Sequence, residues 1–369
     1  MKNTYGKSLA VTIFGESHGE YVGAVIDGIS PGIKIDGDYV KDKLSLRRPQ
    51  GSISTARVEA DNYKIISGIF DGYTTGTPLT ILIPNENTDS RSYSKDIPRP
   101  SHADYSAELK YHGFQDFRGG GHFSGRVTAA LVAAGAIISS ALEGIGIRIG
   151  THISRLHGIS DRGFENFDTD IAYLSKKQFP VLSSEAEKDM IGEIERAREE
   201  GDSVGGILES VITGVPAGVG EPWFDSVEGE ISHILFSIGG IKGVEFGDGF
   251  ALADVFGSEA NDPFALEDGR VITKTNRNGG VNGGITNGMP IIVRCAVKPT
   301  PSIRKEQETV NLANDTSVTL ITDGRHDPAI IHRVRAVVDA ALAIAVADML
   351  TCRFGTDFLK SGNNCLQKG

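Results

Sequence analysis

Cysteine, long apolar runs and positive charge are all scarce in this chain, and each scarcity removes a class of protein. Three cysteines, Cys295, Cys352 and Cys365, occur in 369 residues. Their odd number and spacing suggest neither a disulfide framework nor a zinc site, which points to a reducing, cytoplasmic setting. Nine histidines are scattered without HxxxH or CxxC spacing, so no metal site is expected. No run of about 18 apolar residues marks a membrane span, and no signal-peptide core follows residues 1–5. Lys and Arg number 37 against 48 Asp and Glu, a formal net charge of -11. A surface of that sign repels nucleic acid and anionic membranes, so neither is an expected partner. GxGxxG and P-loop patterns are missing, which sets aside the common nucleotide-binding loops.

Glycine, by contrast, is abundant: 46 residues, well above the ~7% of ordinary domains. Its placement suggests an internal duplication. Residues 15–32 read GESHGEYVGAVIDGISPG and residues 201–218 read GDSVGGILESVITGVPAG, with glycine at four matched places (15/201, 19/205, 28/214 and 32/218). A second pair follows in the same order, RVTAALVAAGAI from Arg126 and RVRAVVDAALAI from Arg333. Chance similarity among small residues is the alternative. If the duplication is real, it divides the chain into related halves of about 1–186 and 187–360, and His18 is matched by Val204.

The hydropathy pattern is mixed. Alternation at Leu9, Val11 and Ile13 and at Ile145, Ile147 and Ile149 predicts strands, as do residues 207–213 and 289–297. Apolar spacing of three and four predicts a helix from Val227 with Ser226 as N-cap, and another over residues 184–200 stopped by Gly201. The segments after Arg126 and Arg333 are alanine-rich and apolar nearly all round, which predicts buried helices. Strands must bury one face on helices, so the expected fold class is α+β: one large domain, a sheet–helix–sheet sandwich with internal pseudo-symmetry. Residues 361–369 are polar and expected to fray.

Two short stretches set ionisable groups among residues that bend the backbone: Gly15-Glu16-Ser17-His18-Gly19 and Gly324-Arg325-His326-Asp327-Pro328. Such groups suit proton transfer if a substrate lies beside them. Arginines recur in turn-rich contexts at Arg47, Arg48, Arg126 and Arg325, with Arg99, Arg333 and Arg335 elsewhere. A guanidinium donates two parallel hydrogen bonds to phosphate or carboxylate, so the set fits a small, multiply charged anion. Arg118-Gly119-Gly120-Gly121-His122-Phe123-Ser124 precedes the first buried helix. It reads equally as a ligand-approach loop and as a flexible surface loop. Lys298-Pro299-Thr300-Pro301-Ser302 follows a strand and suits a cofactor phosphate or a stiff connection. His102, with Asp104 nearby, is a second candidate imidazole; His112, His152, His157 and His233 read as structural or surface residues.

These motifs, taken with Arg47-Arg48-Pro49, Glu59-Ala60-Asp61, Arg99 to Asp104, Lys110-Tyr111, Gly239 to Gly247, Asn278-Gly279-Gly280, Gly283-Gly284 and Lys298-Pro299-Thr300, resemble the chorismate synthase family in order and spacing. The resemblance implies a carbon–oxygen lyase acting on phosphates. Its reaction is the anti 1,4-elimination of phosphate from 5-enolpyruvylshikimate 3-phosphate, the last common step towards aromatic amino acids. Reduced FMN is required without net redox change, the reductant being external and ultimately NAD(P)H. The resemblance also implies a cytoplasmic homotetramer. By it, His18 donates a proton to the leaving phosphate or the flavin, His102 maintains the flavin's protonation state, and Asp327 assists proton removal through flavin N5. Arg47, Arg48, Arg99, Arg126 and Arg325 would bind substrate. His122, Phe123, Ser124, Gly239, Gly240, Gly283, Lys298, Pro299, Thr300, Pro301, Ser302 and Arg325 would bind flavin. This chain departs from the family's pattern at His122 to Val127, where Arg-Ser-Ser-Ala-Arg-Glu is usual. It also departs at Ile53, in place of an arginine, and at Ala336 and Asp339, in place of proline and glutamate. The altered loop leaves a flavin-binding or anion-binding protein without catalysis as the second reading.

Overall fold

Alternating apolar side chains build two antiparallel sheets, each with five strands. The computed structural model describes residues 2–49, 51–54, 60–88, 93–322 and 327–361. In the first sheet, β1 (Thr4–Tyr5), β2 (Ala10–Gly15), β3 (Tyr21–Asp27), β4 (Lys64–Ser67) and β5 (Leu79–Pro84) lie in the order β1-β2-β3-β5-β4. Val22, Ala24 and Ile26 of β3 and Leu79, Ile81 and Ile83 of β5 are fully buried on its inner face. The second sheet holds β6 (Arg148–Leu156), β7 (Ile159–Ser160), β8 (Gly206–Thr213), β9 (Ile241–Phe246) and β10 (Ile291–Val297), in the order β9-β10-β8-β6-β7.

Helices join the two sheets, the core ones packing on one another and on the strands. α1 (Gly37–Leu46), α2 (Asp104–Lys110), α3 (Thr128–Gly144), α4 (Phe167–Leu174), α5 (Ser184–Glu199), α6 (Val227–Ser237) and α7 (Ile331–Phe354) follow in chain order. α3 packs on β3 and β5, α7 packs on β6 and β8, and α3 and α7 meet at the centre. Their small residues permit that crossing. A Cβ on Gly135 of α3 would lie 2.4 Å from the Ala340 Cβ of α7, closer than packed atoms tolerate. Gly135→Val is therefore expected to destabilise the fold by about 1–3 kcal/mol through overpacking, measurable as a lowered urea midpoint. The segment Gly125–Gly144 is long and apolar enough to cross a membrane, but 72% of its apolar window is buried in the protein. Its hydrophobicity belongs to the core.

The two sheets share a strand order. The first sheet's order β2-β3-β5-β4 recurs as β6-β8-β10-β9, with α1 and α3 matched by α6 and α7. Gly28 and Gly214 leave the matched strands β3 and β8 with φ +80 and +83, and Gly32 and Gly218 follow with +81 and +88. The corresponding elements span residues 10–144 and 148–354.

Boundaries shift where local chemistry dictates. Ile145 caps α3 instead of opening a strand, and β6 begins only after the turn at Gly146 (φ +87). β10 begins at Ile291 because Pro290 has no N–H for the ladder. Arg333 lies inside the first turn of α7 rather than ahead of it. Ser226 caps α6, its Oγ accepting from Gly229 N–H at 3.0 Å, and Gly201 (φ +69) follows the end of α5.

Candidate active site

β2 ends at Gly15 (φ +98), and the chain turns through Glu16-Ser17-His18-Gly19 into β3. Three hydrogen-bonding partners hold this turn. Ser17 N–H donates to Gly121 O at 3.0 Å and His122 Nδ1–H to Gly15 O at 2.8 Å. Asn85 Nδ2 donates to Glu16 O at 3.0 Å and to Gly19 O at 2.8 Å. His122 thus braces the histidine turn.

Beside the turn runs the glycine loop, where Gly119, Gly120 and Gly121 take φ of 61, 82 and 54 in succession. A Cβ on Gly119 would stand 2.8 Å from His18 Nε2, and one on Gly120 would stand 3.2 Å from His102 Cε1. Neighbouring residues of one loop therefore back onto both imidazoles, and a side chain at either position would fill the space beside them. His102 Nδ1–H donates to Asp104 Oδ1 at 2.6 Å, while Arg99 grips the same carboxylate through Nε and Nη2, each at 2.8 Å. Burial alone would raise the Asp104 carboxyl, but Arg99 and His102 hold it well below its ordinary value. With Nδ1 committed, the remaining ring nitrogen, Nε2, faces Gly120 of the glycine loop. Tyr93 packs edge-on against His18 (5.6 Å between ring centroids, 73° between planes), and the Arg99 guanidinium lies 5.6 Å from the Tyr93 ring.

The arginines gather on one carboxylate. Asp61, whose side chain is wholly buried, receives Arg47 Nη1 at 2.8 Å, Arg126 Nη1 in short contact, and Arg48 Nε at 3.8 Å. Burial opposes its charge, yet Arg47 and Arg126 keep its pKa below the ordinary value. Arg126 also donates to Asn85 Oδ1 at 2.7 Å and Pro84 O at 2.9 Å. Asn85 therefore joins the arginine cluster to the His18 turn. Arg333 donates to Arg47 O and pairs with Asp327. Among the described residues, four guanidinium groups (Arg47, Arg48, Arg126 and Arg333) gather around two carboxylates (Asp61 and Asp327). Burial pushes Arg47 down to about 10; Asp61 opposes that shift, and Arg333 and Arg126 add to it.

Lys298 brings the second half of the chain to the first. Its Nζ donates to Ser101 O at 2.7 Å, beside His102, and its N–H donates to Gly240 O at 2.9 Å. Burial, and then the Lys242 charge, lower its pKa. Ser203 Oγ donates to Thr300 O at 2.7 Å, Gln307 Nε2 to Pro301 O at 3.3 Å, and Ser302 is buried. A cleft of about 470 Å³ opens here, lined by Pro100, Ser101, Ser203, Lys298, Pro299 and Thr300 among others. Ser101 (φ 58) and Asp61 (φ 53) both hold left-handed backbone. That conformation is uncommon outside glycine and gathers at functional sites.

His18, His102, Arg47, Arg48, Arg99, Arg126, Asp327 and Lys298 thus fall in one connected network. Ser124 caps the following turn, its Oγ accepting from Arg126 N–H at 3.3 Å, and Phe123 is half-exposed against Tyr111. Gly239 and Gly240 close α6 near Lys298. Gly283 is not brought to them within one chain: its neighbour Gly284 packs on Glu221 and Ser226, at the opposite end of α6. Arg325 lies outside the described residues. Asp61 as the shared counter-charge, Asn85, Tyr93 and Arg333 are site components that motif reading did not single out. No metal-binding cluster of His, Cys, Asp and Glu occurs among the described residues.

His332, next to Arg333, is buried, and its Nε2 shares a hydrogen bond of 2.8 Å with Ser54 Oγ. Burial, with the Arg333 charge adding to it, pushes the ring down to about 3. An unfolded histidine titrates near ~6.5, so below that pH the unfolded chain binds a proton that the folded chain refuses. Stability is expected to fall as pH drops from about 6.5 towards 3, by at most about 1.4 kcal/mol per pH unit from this ring. His332→Gln should flatten that slope in urea titrations at pH 5 and 7. An unchanged slope would exclude the ring as its source.

The fold is that of an α+β enzyme, and it gathers two imidazoles and an arginine cluster in one network. The chorismate synthase family model matches residues 9–351, and the chain belongs to that family of lyases, enzymes of the shikimate pathway. It is 48% identical over 350 residues to the chorismate synthase of Pyrococcus abyssi, covering 94% of this chain and 97% of that one. Against the chorismate synthase of Thermococcus kodakarensis it is 45% identical over 358 residues, with the same coverage. A solved crystal structure of chorismate synthase superposes with a TM-score of 0.76 at 27% identity, covering 98% of this chain and 97% of that one.

Proposed function

We propose that this protein eliminates phosphate from 5-enolpyruvylshikimate 3-phosphate in the anti 1,4 sense to give chorismate, with reduced FMN as cofactor and no net redox change. The observation that carries this reading is the placing of His18 and His102 against adjacent glycines, beside a cluster of arginines that share the Asp61 carboxylate. Reduced flavin, when bound, supplies transient electron donation and accepts a proton from a C–H bond that is otherwise a poor acid. The donor set suits two phosphate-bearing ligands, since the arginines around Asp61 offer one anion site and Lys298 with Lys242 another. Arg47, Arg48 and Arg126 hold the substrate's phosphate and carboxylates. His18 donates a proton to the departing phosphate oxygen. His102, oriented by Asp104 and Arg99, presents Nε2 to the ligand, and the Asp327 carboxylate assists removal of the substrate's C–H proton.

Reduction by an external NAD(P)H-dependent source, a cytoplasmic location and a homotetramer belong to the same proposal. The exposed side chains of Phe250, Phe256, Phe264 and Leu266 support contact between copies; light scattering on the purified chain tests the tetramer. Anaerobic incubation with chemically reduced FMN and substrate tests the reaction and is expected to release phosphate and chorismate in equal amounts. Tight flavin binding by folded protein with intact substrate after long incubation would favour a binding protein without catalysis.

A further inference from the structure

Arg333 touches two of the site's motifs at once. It stands in the first turn of α7, and its Nε–H donates to the Arg47 carbonyl at 2.8 Å while Nη1 donates to Asp327 Oδ2 at 2.6 Å. Both charged side chains are largely buried, at 19% and 14% exposure, so water competes weakly for the pair. Beyond this first turn nearly every residue of α7 is buried in the core, so the base from which Arg333 reaches is rigid. The adjacent His332 bonds Ser54, just after the 3-10 turn Gly51–Ile53. One helical turn therefore grips the arginine-bearing segment at Arg47 and again at Ser54, 286 and 278 residues away in sequence. Asp327 is steadied from its other flank too, because Val204 N–H donates to Pro328 O at 2.8 Å.

We propose that Arg333 is a positioning residue that aims the Asp327 carboxylate and fixes the backbone presenting Arg47 and Arg48, so that anion recognition and proton transfer share one geometry. The proposal deepens the elimination described above and rests on it. A guanidinium suits this task because its fixed planar fork serves two acceptors in different directions. A lysine ammonium supplies the charge but cannot hold both acceptors in that geometry.

The test compares Arg333→Ala and Arg333→Lys with the wild-type chain in the anaerobic assay with reduced FMN, after circular dichroism has established folding. Small misplacements of reacting groups cost on the order of 10²-fold, so Arg333→Ala is expected to lower kcat by about that factor. Arg333→Lys should remain at least about tenfold impaired, and added guanidinium ion should restore part of the activity of Arg333→Ala. In an Asp327→Asn background, the further loss from Arg333→Ala should be clearly smaller than in the wild type, because the carboxylate it aims is already gone and only the hold on the Arg47 carbonyl remains to be lost. A purely structural contribution would instead multiply through in full, and that result overturns the proposal. Arg333→Lys within twofold of wild type overturns it as well, and it carries the test should Arg333→Ala fail to fold. Absence of turnover by folded wild-type protein overturns the elimination itself and this proposal with it.

Discussion

His18→Ala is expected to lower turnover by about 10²–10⁴-fold, the usual contribution of a positioned general acid, while substrate still binds. The side chain is neither part of the Asp61 ion-pair cluster nor buried in the core, and the main-chain bonds at Ser17 N, Glu16 O and Gly19 O that hold its turn survive truncation. Lost activity therefore reports chemistry and not a collapsed loop. Single-turnover kinetics with reduced flavin would separate the two, and a variant within twofold of wild type would remove the imidazole from the reaction. His102→Ala makes an informative companion. It also strips one donor from Asp104, although the Arg99 fork remains.

Asp61→Ala is expected to cost about 3–5 kcal/mol of stability, the effect of breaking a buried ion pair and leaving its partner charged. Here the partners are Arg47 and Arg126, both buried and both bonded to the same carboxylate. Without it, two guanidinium groups confront one another with Arg48 and Arg333 nearby. Urea unfolding measures the loss, and a change below about 1 kcal/mol would show that the arginines find other counter-charges. Millimolar sulfate or phosphate should stabilise the variant more than the wild type, because an anion binding only the folded form shifts the equilibrium towards it.

Much of this architecture was legible from local pattern. The core helices announced themselves by alanine-rich, nearly all-apolar stretches after Arg126 and Arg333, and α6 by the Ser226 cap followed by three- and four-residue spacing. The repeated glycines foretold matched turns, since Gly28 and Gly214 take nearly the same positive φ. Strand starts were less legible, because Gly146 and Pro290 delay pairing beyond where apolar alternation begins. In the site, residues set in short motifs could be found. Asn85 could not, since nothing in the sequence beside it tells that its amide spans Arg126 and the His18 turn. Asp61 sits in a recognisable motif, but its part as shared counter-charge emerges only when Arg47 and Arg126, 79 residues apart (126 minus 47), fold onto it.

The matched turns have diverged in a way that the topology explains. Where the first repeat carries His18, the second carries Val204, buried at 5% exposure, whose N–H secures Pro328 beside Asp327. Two identical, separate copies could never divide labour in this way, because every change in one would appear in its mirror image. Covalent joining lifts that obligation: one turn carries an imidazole, and at the matched place in the other a main-chain N–H holds Pro328 beside Asp327. An asymmetric site is thus open to one polypeptide where it is closed to two identical ones.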